Sequence, residues 1–104
     1  MDILEDKKAE DIVLLDVRVI ASFTDFFIIC SGGSDRTVQA LADVVQEKAR
    51  ELANRRGRVE GQPRDGWVLV DFGDLIVHVF SPDQRAFYRI EELWHEGKTL
   101  LRVQ

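Results

Sequence analysis

Two carboxylates beside a glycine are the residues of this sequence most suited to catalysis. Asp71 and Asp74 are separated by Phe72 and Gly73. Two-metal phosphoryl transfer needs carboxylates that converge on shared ions, and an Asp-x-Asp pair on one strand achieves this because residues two apart point the same way. Here the spacing crosses a turn, and no lysine or arginine stands close in sequence to hold a triphosphate. An active nucleotide-transferring site is not predicted; a degenerate one stays an alternative, because the pair could approach across a hairpin.

A Ser-Gly-Gly-Ser turn at residues 31–34 precedes a predicted helix. Unpaired amide groups and the helix dipole at such a turn can bind phosphate. The turn lacks the lysine of a phosphate-binding loop and the third glycine of a dinucleotide fingerprint. We therefore favour tight packing of a strand against the helix, with phosphate binding as the alternative.

The histidines and the single cysteine do not predict a metal site. Neither His78 nor His95 has a second ligand at a metal-binding spacing, so we predict no metal and no cofactor, and we expect His78 to pack or to lie in an interface. Cys30 lies in an apolar run and is expected to be buried packing. One cysteine permits no disulfide framework, which favours a reducing compartment.

Residues 65–82 are predicted to form a β-hairpin that positions the carboxylates and His78. Two runs rich in β-branched residues flank Phe72 and Gly73, and glycine allows the positive φ of a tight turn. A two-residue loop there pairs Asp71 with Asp74 and Trp67 with His78. Because strand side chains alternate, one face is aliphatic and is predicted to pack under a helix; it carries Val68, Val70, Leu75, Val77 and Val79.

The opposite face of the hairpin mixes aromatic, aliphatic and titratable side chains, and it is predicted to be a contact surface. An aromatic patch edged by carboxylates would suit a basic protein partner. Tyr88 is expected to join this patch. The predicted partner-binding residues are Trp67, Leu69, Asp71, Asp74, Ile76, His78, Phe80 and Tyr88.

The remaining elements predict an α/β fold with a mixed sheet and packed helices. Strands are expected at residues 11–17, 25–30 and 58–61, and a long amphipathic helix follows residues 31–34 and ends at Gly57. A last helix begins with a capping box at Ser81, buries Phe87, Ile90, Leu93 and Trp94, and ends at Gly97. Residues 1–9 are expected to be a frayed partial helix. The tail, residues 98–104, either adds an edge strand or docks elsewhere.

Composition limits the class of partner. At 104 residues and 45% hydrophobic the chain is sized for one domain, residues 1–104. A formal charge of −5 argues against binding nucleic acid by phosphate neutralisation and favours a basic protein surface. The acidic N-terminus does not resemble a signal peptide, and no apolar run approaches the ~20 residues of a membrane span. A cytoplasmic protein without membrane contact is expected.

Several segments together resemble the ribosomal silencing factor family, also called RsfS or Iojap. The resemblance covers residues 9–94, most of the chain, and its most specific part runs from Trp67 to His78. The chain departs from the family in a shortened N-terminal helix and a longer tail after Trp94. The matching segments are residues 9–17, 24–32, 59–61, 66–74, 78–80, 85–88 and 92–94.

The resemblance implies a function by binding and not by catalysis. It implies docking on large-subunit ribosomal protein fourteen, which would sterically block joining of the two ribosomal subunits and repress translation. It also implies a nucleotidyltransferase-like fold without the chemistry; a nucleotide-binding or degenerate nucleotidyltransferase-like domain is the alternative. An exposed aromatic face would also allow the free protein to form a homodimer, which stays open.

Overall fold

The structure is a computed structural model that describes Leu4, residues 8–90 and residues 96–103. Its strands are β1 (Glu10–Asp16), β2 (Phe26–Ser31), β3 (Arg58–Gln62), β4 (Trp67–Asp71), β5 (Leu75–Phe80) and β6 (Lys98–Val103). Its helices are α1 (Asp35–Ala53) and α2 (Pro82–Tyr88), and a 3₁₀ turn spans Pro63–Asp65. Among these helices, none is long and apolar enough to cross a membrane.

The strands form one mixed sheet in the order β3-β4-β5-β2-β1-β6. β2 and β5 pair in parallel, and the other neighbours pair antiparallel. The predicted α/β class with a mixed sheet is confirmed. The tail forms the edge strand β6 against β1, with Leu14 opposite Leu101, so the first of its two alternatives holds.

The hairpin turn lies one residue later than predicted. The N–H of Phe72 donates to the carbonyl of Leu75 (2.9 Å), which leaves Gly73 and Asp74 as the loop. Gly73 has φ 91°. Two-residue hairpin turns need positive φ at their first loop position, which glycine adopts and phenylalanine resists. Trp67 therefore lies opposite Phe80 and not His78.

The later turn does not change which residues share a face of the hairpin. Each residue pairs with one that is two positions from its predicted partner, and residues two apart on a strand point to the same side. Val68, Val70, Val77 and Val79 are at most 2% exposed and pack with Val38, Leu41 and Ala42 of α1, while Leu75 is partly buried beside them. The predicted aliphatic core face is confirmed. Leu4 also packs in this cluster at 2% exposure, so the expected fraying does not extend to it; residues 1–3 and 5–7 lie outside the described residues.

The opposite face of the sheet is also covered, which corrects the predicted contact surface. Ile76 and Phe80 belong to a second core cluster with Phe27, Ile29 and Ile90, and His78 is 4% exposed. The expectation that this whole face is exposed is wrong for Ile76, His78 and Phe80. The residues in this cluster come from several segments, including Val17 before β2 and Ile90 after α2, and strand alternation does not reveal them.

The strand-to-helix turn before α1 is tightly packed, as favoured from the sequence. A Cβ on Gly32 would lie 3.0 Å from the backbone nitrogen of Val38, so only glycine fits without displacement. Ser34 is the N-cap and accepts a hydrogen bond from the Thr37 N–H (3.1 Å). The helix ends at Ala53 with Asn54 in the left-handed conformation, before the predicted stop at Gly57.

Helix α2 begins as predicted and is interrupted at Arg89. Ser81 caps α2, accepting from the Gln84 N–H (3.3 Å), with Pro82 at the first position, as predicted. The helix stops at Tyr88 because Arg89 adopts φ 48°, whereas the predicted helix continued through residue 89. Phe87, expected in the core, is 74% exposed, whereas Ile90 is buried. Leu93 and Trp94 lie outside the described residues.

Candidate protein-binding surface

Four aromatic rings form a continuous row from the core to the surface, here called the aromatic row: Phe80, Trp67, Tyr88 and Phe87. Trp67 stacks on Phe80 with ring centroids 4.9 Å apart and contacts Tyr88 at 4.6 Å. Phe87 meets Tyr88 at 5.1 Å, nearly perpendicular to it. Exposure rises along the row from 0% at Phe80 to 43% at Tyr88 and 74% at Phe87. The row presents rigidly supported aromatic surface to solvent.

His78 contacts the aromatic row from its buried side. The indole Nε1–H of Trp67 donates to Nδ1 of His78 (3.2 Å), and Phe27 meets the imidazole ring at 4.8 Å, edge to face. Burial lowers the pKa of His78 to about 4, because the charged form loses its hydration. The imidazole is therefore neutral at pH 7 and carries its proton on Nε2. With Nδ1 engaged and the ring buried, His78 is a packing residue, one of the two roles expected for it.

Arg85 fixes α2 on the sheet. Its guanidinium Nη1 donates to the backbone carbonyl of Asp11 (2.6 Å) and to Oγ of Ser31 (3.0 Å), and the Asp11 carboxylate lies 3.5 Å from Nη2. Arg102 also binds this carboxylate through two hydrogen bonds of 3.1 and 3.0 Å. Sequence reasoning assigned no role to Arg85, whose 8% exposure is unusual for arginine. Its sequence signal was its place in segment 85–88, one of those that resemble the family.

The two aspartates at the hairpin turn serve the turn itself. Asp71 accepts from the Gly73 N–H (2.8 Å) through Oδ1. Asp74 forms an ion pair with Arg55 (2.7 Å), and the guanidinium lowers the pKa of Asp74. Arg55 also donates to the carbonyl of Phe72. The described residues contain no cluster of three or more histidine, cysteine, aspartate or glutamate side chains suited to a metal ion, so the geometry does not favour the two-metal alternative.

A cleft of about 570 Å³ lies beside the Ser-Gly-Gly-Ser turn, lined in part by Glu10, Asp11, Ser31 and Arg85. The carboxylates of Glu10 and Asp11 in its wall would repel the negative charge of a triphosphate. Arg85 is already bound to Asp11 and Ser31 and so is not free to bind phosphate. Cys30, the residue before Ser31, is fully buried, and burial raises the pKa of its thiol to about 12. The expectation of a buried packing cysteine is confirmed.

The predicted partner-binding residues divide into three groups by exposure. Tyr88 and Asp74 are exposed, Trp67, Leu69 and Asp71 are half-buried, and Ile76, His78 and Phe80 are buried. The half-buried residues alternate along one face of β4, and Tyr88 contacts Trp67. We call this accessible set the β4 stripe: Trp67, Leu69, Asp71 and Tyr88.

A shallow groove borders the β4 stripe on the side of the edge strand β3. It has a volume of about 170 Å³ and is lined by Glu60, Gly61, Trp67 and Leu69. Glu60 lies opposite Leu69 in the sheet, so its carboxylate stands on the same face as the stripe. Sequence reasoning did not include Glu60, because β3 has no apolar alternation that would align it with the hairpin.

Comparisons with known proteins show the family of this chain. The family model "Ribosomal silencing factor during starvation" matches residues 1–104. A ribosomal silencing factor from Bacillus subtilis is 46% identical over 93 residues, which cover 89% of this chain and 79% of that protein. One from Halalkalibacterium halodurans is 43% identical over 97 residues, or 93% of this chain and 83% of that protein. A crystal structure of a Chromobacterium violaceum protein has a TM-score of 0.85 and 42% identity, covering 90% of this chain and 78% of the other. This chain belongs to the ribosomal silencing factor family.

Proposed function

We propose that this protein binds the large ribosomal subunit and represses translation by preventing the subunits from joining. The proposed docking site is large-subunit ribosomal protein fourteen on the face that meets the small subunit. The observation that supports this most is the β4 stripe, an accessible aromatic and acidic surface in a member of a ribosomal silencing family. We place its action in the cytoplasm, where bacterial ribosomes work.

The β4 stripe has the composition of a protein-binding surface. Trp67 and Tyr88 supply large rigid rings, which often contribute most of the energy of an interface. Asp71 adds a carboxylate at the edge, while the nearby Glu60 is paired with Arg58 (3.3 Å). The whole chain carries −5. Opposite charges accelerate encounter with a basic ribosomal protein. The buried Phe80 and His78 contribute by holding Trp67 in place and not by touching the partner.

The proposed mechanism is steric and needs no turnover. The described residues form a body of 33 × 33 × 23 Å, and the sheet is packed on both faces. A rigid body of that size on the intersubunit face would overlap the space of the small subunit.

In the free protein the same stripe has no partner, and we propose that two copies can associate through it in competition with ribosome binding.

A subunit-joining assay with purified subunits tests the proposal. Added in amounts equal to the large subunit and without nucleotide, the protein should sediment with the large subunit and lower the yield of joined ribosomes in proportion to its occupancy. A large subunit stripped of ribosomal protein fourteen should not bind it. Full inhibition at far below one copy per subunit would contradict the steric mechanism, and unchanged binding to the stripped subunit would contradict the docking site.

A further inference from the structure

Helix α2 presents an acidic and an aromatic side chain to solvent, one turn apart. Asp83 and Phe87 are both exposed, and Phe87 keeps 74% of its surface accessible. Residues four apart on a helix lie on the same face with their Cβ atoms about 6 Å apart. Neither residue was among the predicted partner-binding set. Phe87 was assigned to the core because a continuous helix would align it with Ile90, and the break at Arg89 removes that alignment.

The orientation of this pair is fixed by the rest of α2. Arg85 points inward to Asp11 and Ser31, and two residues along a helix turn the side chain by about 200°. Phe87 must therefore face away from the sheet. Its ring is held against Tyr88 at 5.1 Å, and Tyr88 is held against Trp67 at 4.6 Å. An exposed ring that is already ordered loses little conformational entropy on binding.

The chemistry of the pair suits one kind of side chain. A guanidinium can lie over an aromatic ring and at the same time donate hydrogen bonds to a carboxylate, since it is planar and carries several donors. An ammonium group is a compact charge and satisfies both partners less well. Within the described part of the chain, Asp83 makes no ion pair, so its carboxylate can accept such donors.

We propose that Asp83 and Phe87 form a binding site for an arginine of the basic partner that covers the β4 stripe. The inference rests on the proposed function and extends it. The site lies on α2 at the Tyr88 end of the β4 stripe, and it specifies arginine as the partner side chain bound there. The aromatic row links the two, so one partner surface can cover Trp67, Tyr88 and Phe87 together.

Binding of purified large subunits to three variants tests the site. Phe87→Leu keeps apolar area and removes the aromatic face; we expect affinity to fall roughly 2- to 30-fold. Asp83→Asn should weaken binding at low salt and have a smaller effect at high salt. In the double variant the loss should be smaller than the product of the single losses, because both groups act on one cation. Leu52→Ala, at an exposed position of α1 (83%), is the matched control and should bind as the wild type does.

The outcomes separate this inference from the proposed function. If wild-type protein does not bind the large subunit, the proposed function fails and the inference with it. If wild-type protein binds and Phe87→Leu and Asp83→Asn bind equally well, the inference alone fails. It would also be overturned if the loss of affinity in the double variant equalled the product of the single losses. If the variants lost self-association but kept their affinity for the subunit, the pair would belong to a contact between two copies of this chain. A melting temperature equal to that of the wild type shows that each variant is folded.

Discussion

Trp67 and His78 are joined by a hydrogen bond from the indole Nε1–H to Nδ1 of the imidazole, 3.2 Å long, on the face of the sheet opposite α1. The bond requires neutral His78, because a protonated imidazole has no free acceptor. It links the accessible aromatic surface to the protonation state of a buried group. The position of Trp67 in the β4 stripe therefore depends on His78 remaining neutral in the core.

The first prediction is a loss of stability at acid pH. His78 has a pKa of about 4 in the folded protein against 6.5 as its ordinary value. The unfolded chain therefore binds the proton more readily, and the free energy of unfolding falls as pH drops from 6.5 toward 4. Between pH 7 and pH 5 the loss should be about 2 kcal/mol.

Urea denaturation at several pH values checks this. His78→Gln keeps a polar group near Trp67 and cannot titrate, so its stability should change much less over the same interval. Equal slopes for His78→Gln and the wild type would contradict the assignment to His78.

The second prediction concerns the two faces of the hairpin. Val77 is 1% exposed beneath α1, so Val77→Asp should destabilise the fold by several kcal/mol through an unpaired buried charge. Leu69 is half-buried on the other face, and Leu69→Asp should cost less. Circular dichroism during thermal unfolding compares the two. A folded Val77→Asp beside an unfolded Leu69→Asp would show that the faces are assigned the wrong way round.

The third prediction concerns Arg85. Lysine at this position cannot reach the Asp11 carbonyl and Ser31 Oγ with the same planar geometry, so Arg85→Lys should lower the free energy of unfolding by about 1–3 kcal/mol. Arg36→Lys, on the exposed first turn of α1, is the matched control and should change it by less than about 0.5 kcal/mol. Chemical denaturation measures both. Equal small effects would mean that Arg85 does not hold α2.

The fourth prediction separates the binding module from the nucleotide-binding alternative. A ligand that binds only the folded state raises the melting temperature. Titration with nucleoside triphosphates and Mg²⁺ should produce no saturable rise, since Asp71 and Asp74 are engaged at the turn and the cleft near Ser31 carries two carboxylates. A clear saturable stabilisation would restore the alternative.

Local pattern predicted much of this fold, and contacts between distant segments account for the errors. Alternation identified the aliphatic face of the hairpin, because every second residue is apolar from Val68 to Val70 on one strand and from Leu75 to Val79 on the next. The turn was misplaced by one residue, since pattern alone does not say whether Phe72 or Gly73 comes first in the loop.

The surface was harder to predict than the core. Phe80 packs in a cluster with Val17 and Phe27, which are remote in sequence, and Phe27 also meets the His78 ring. The exposure of Phe87 depends on the left-handed conformation of Arg89. A strand pattern shows which side chains share a face, but it does not show what covers that face.

The most direct test of the proposed mechanism is stoichiometric inhibition of subunit joining by a Trp67→Ala, Tyr88→Ala double variant, with Leu52→Ala as control. Removal of two central aromatic side chains from an interface commonly costs more than about 2 kcal/mol, so a folded double variant should bind the large subunit at least about 30-fold more weakly and should not inhibit joining at equimolar concentration. Leu52→Ala should inhibit like the wild type. Wild-type inhibition by the folded double variant would contradict the claim that the β4 stripe is the silencing surface.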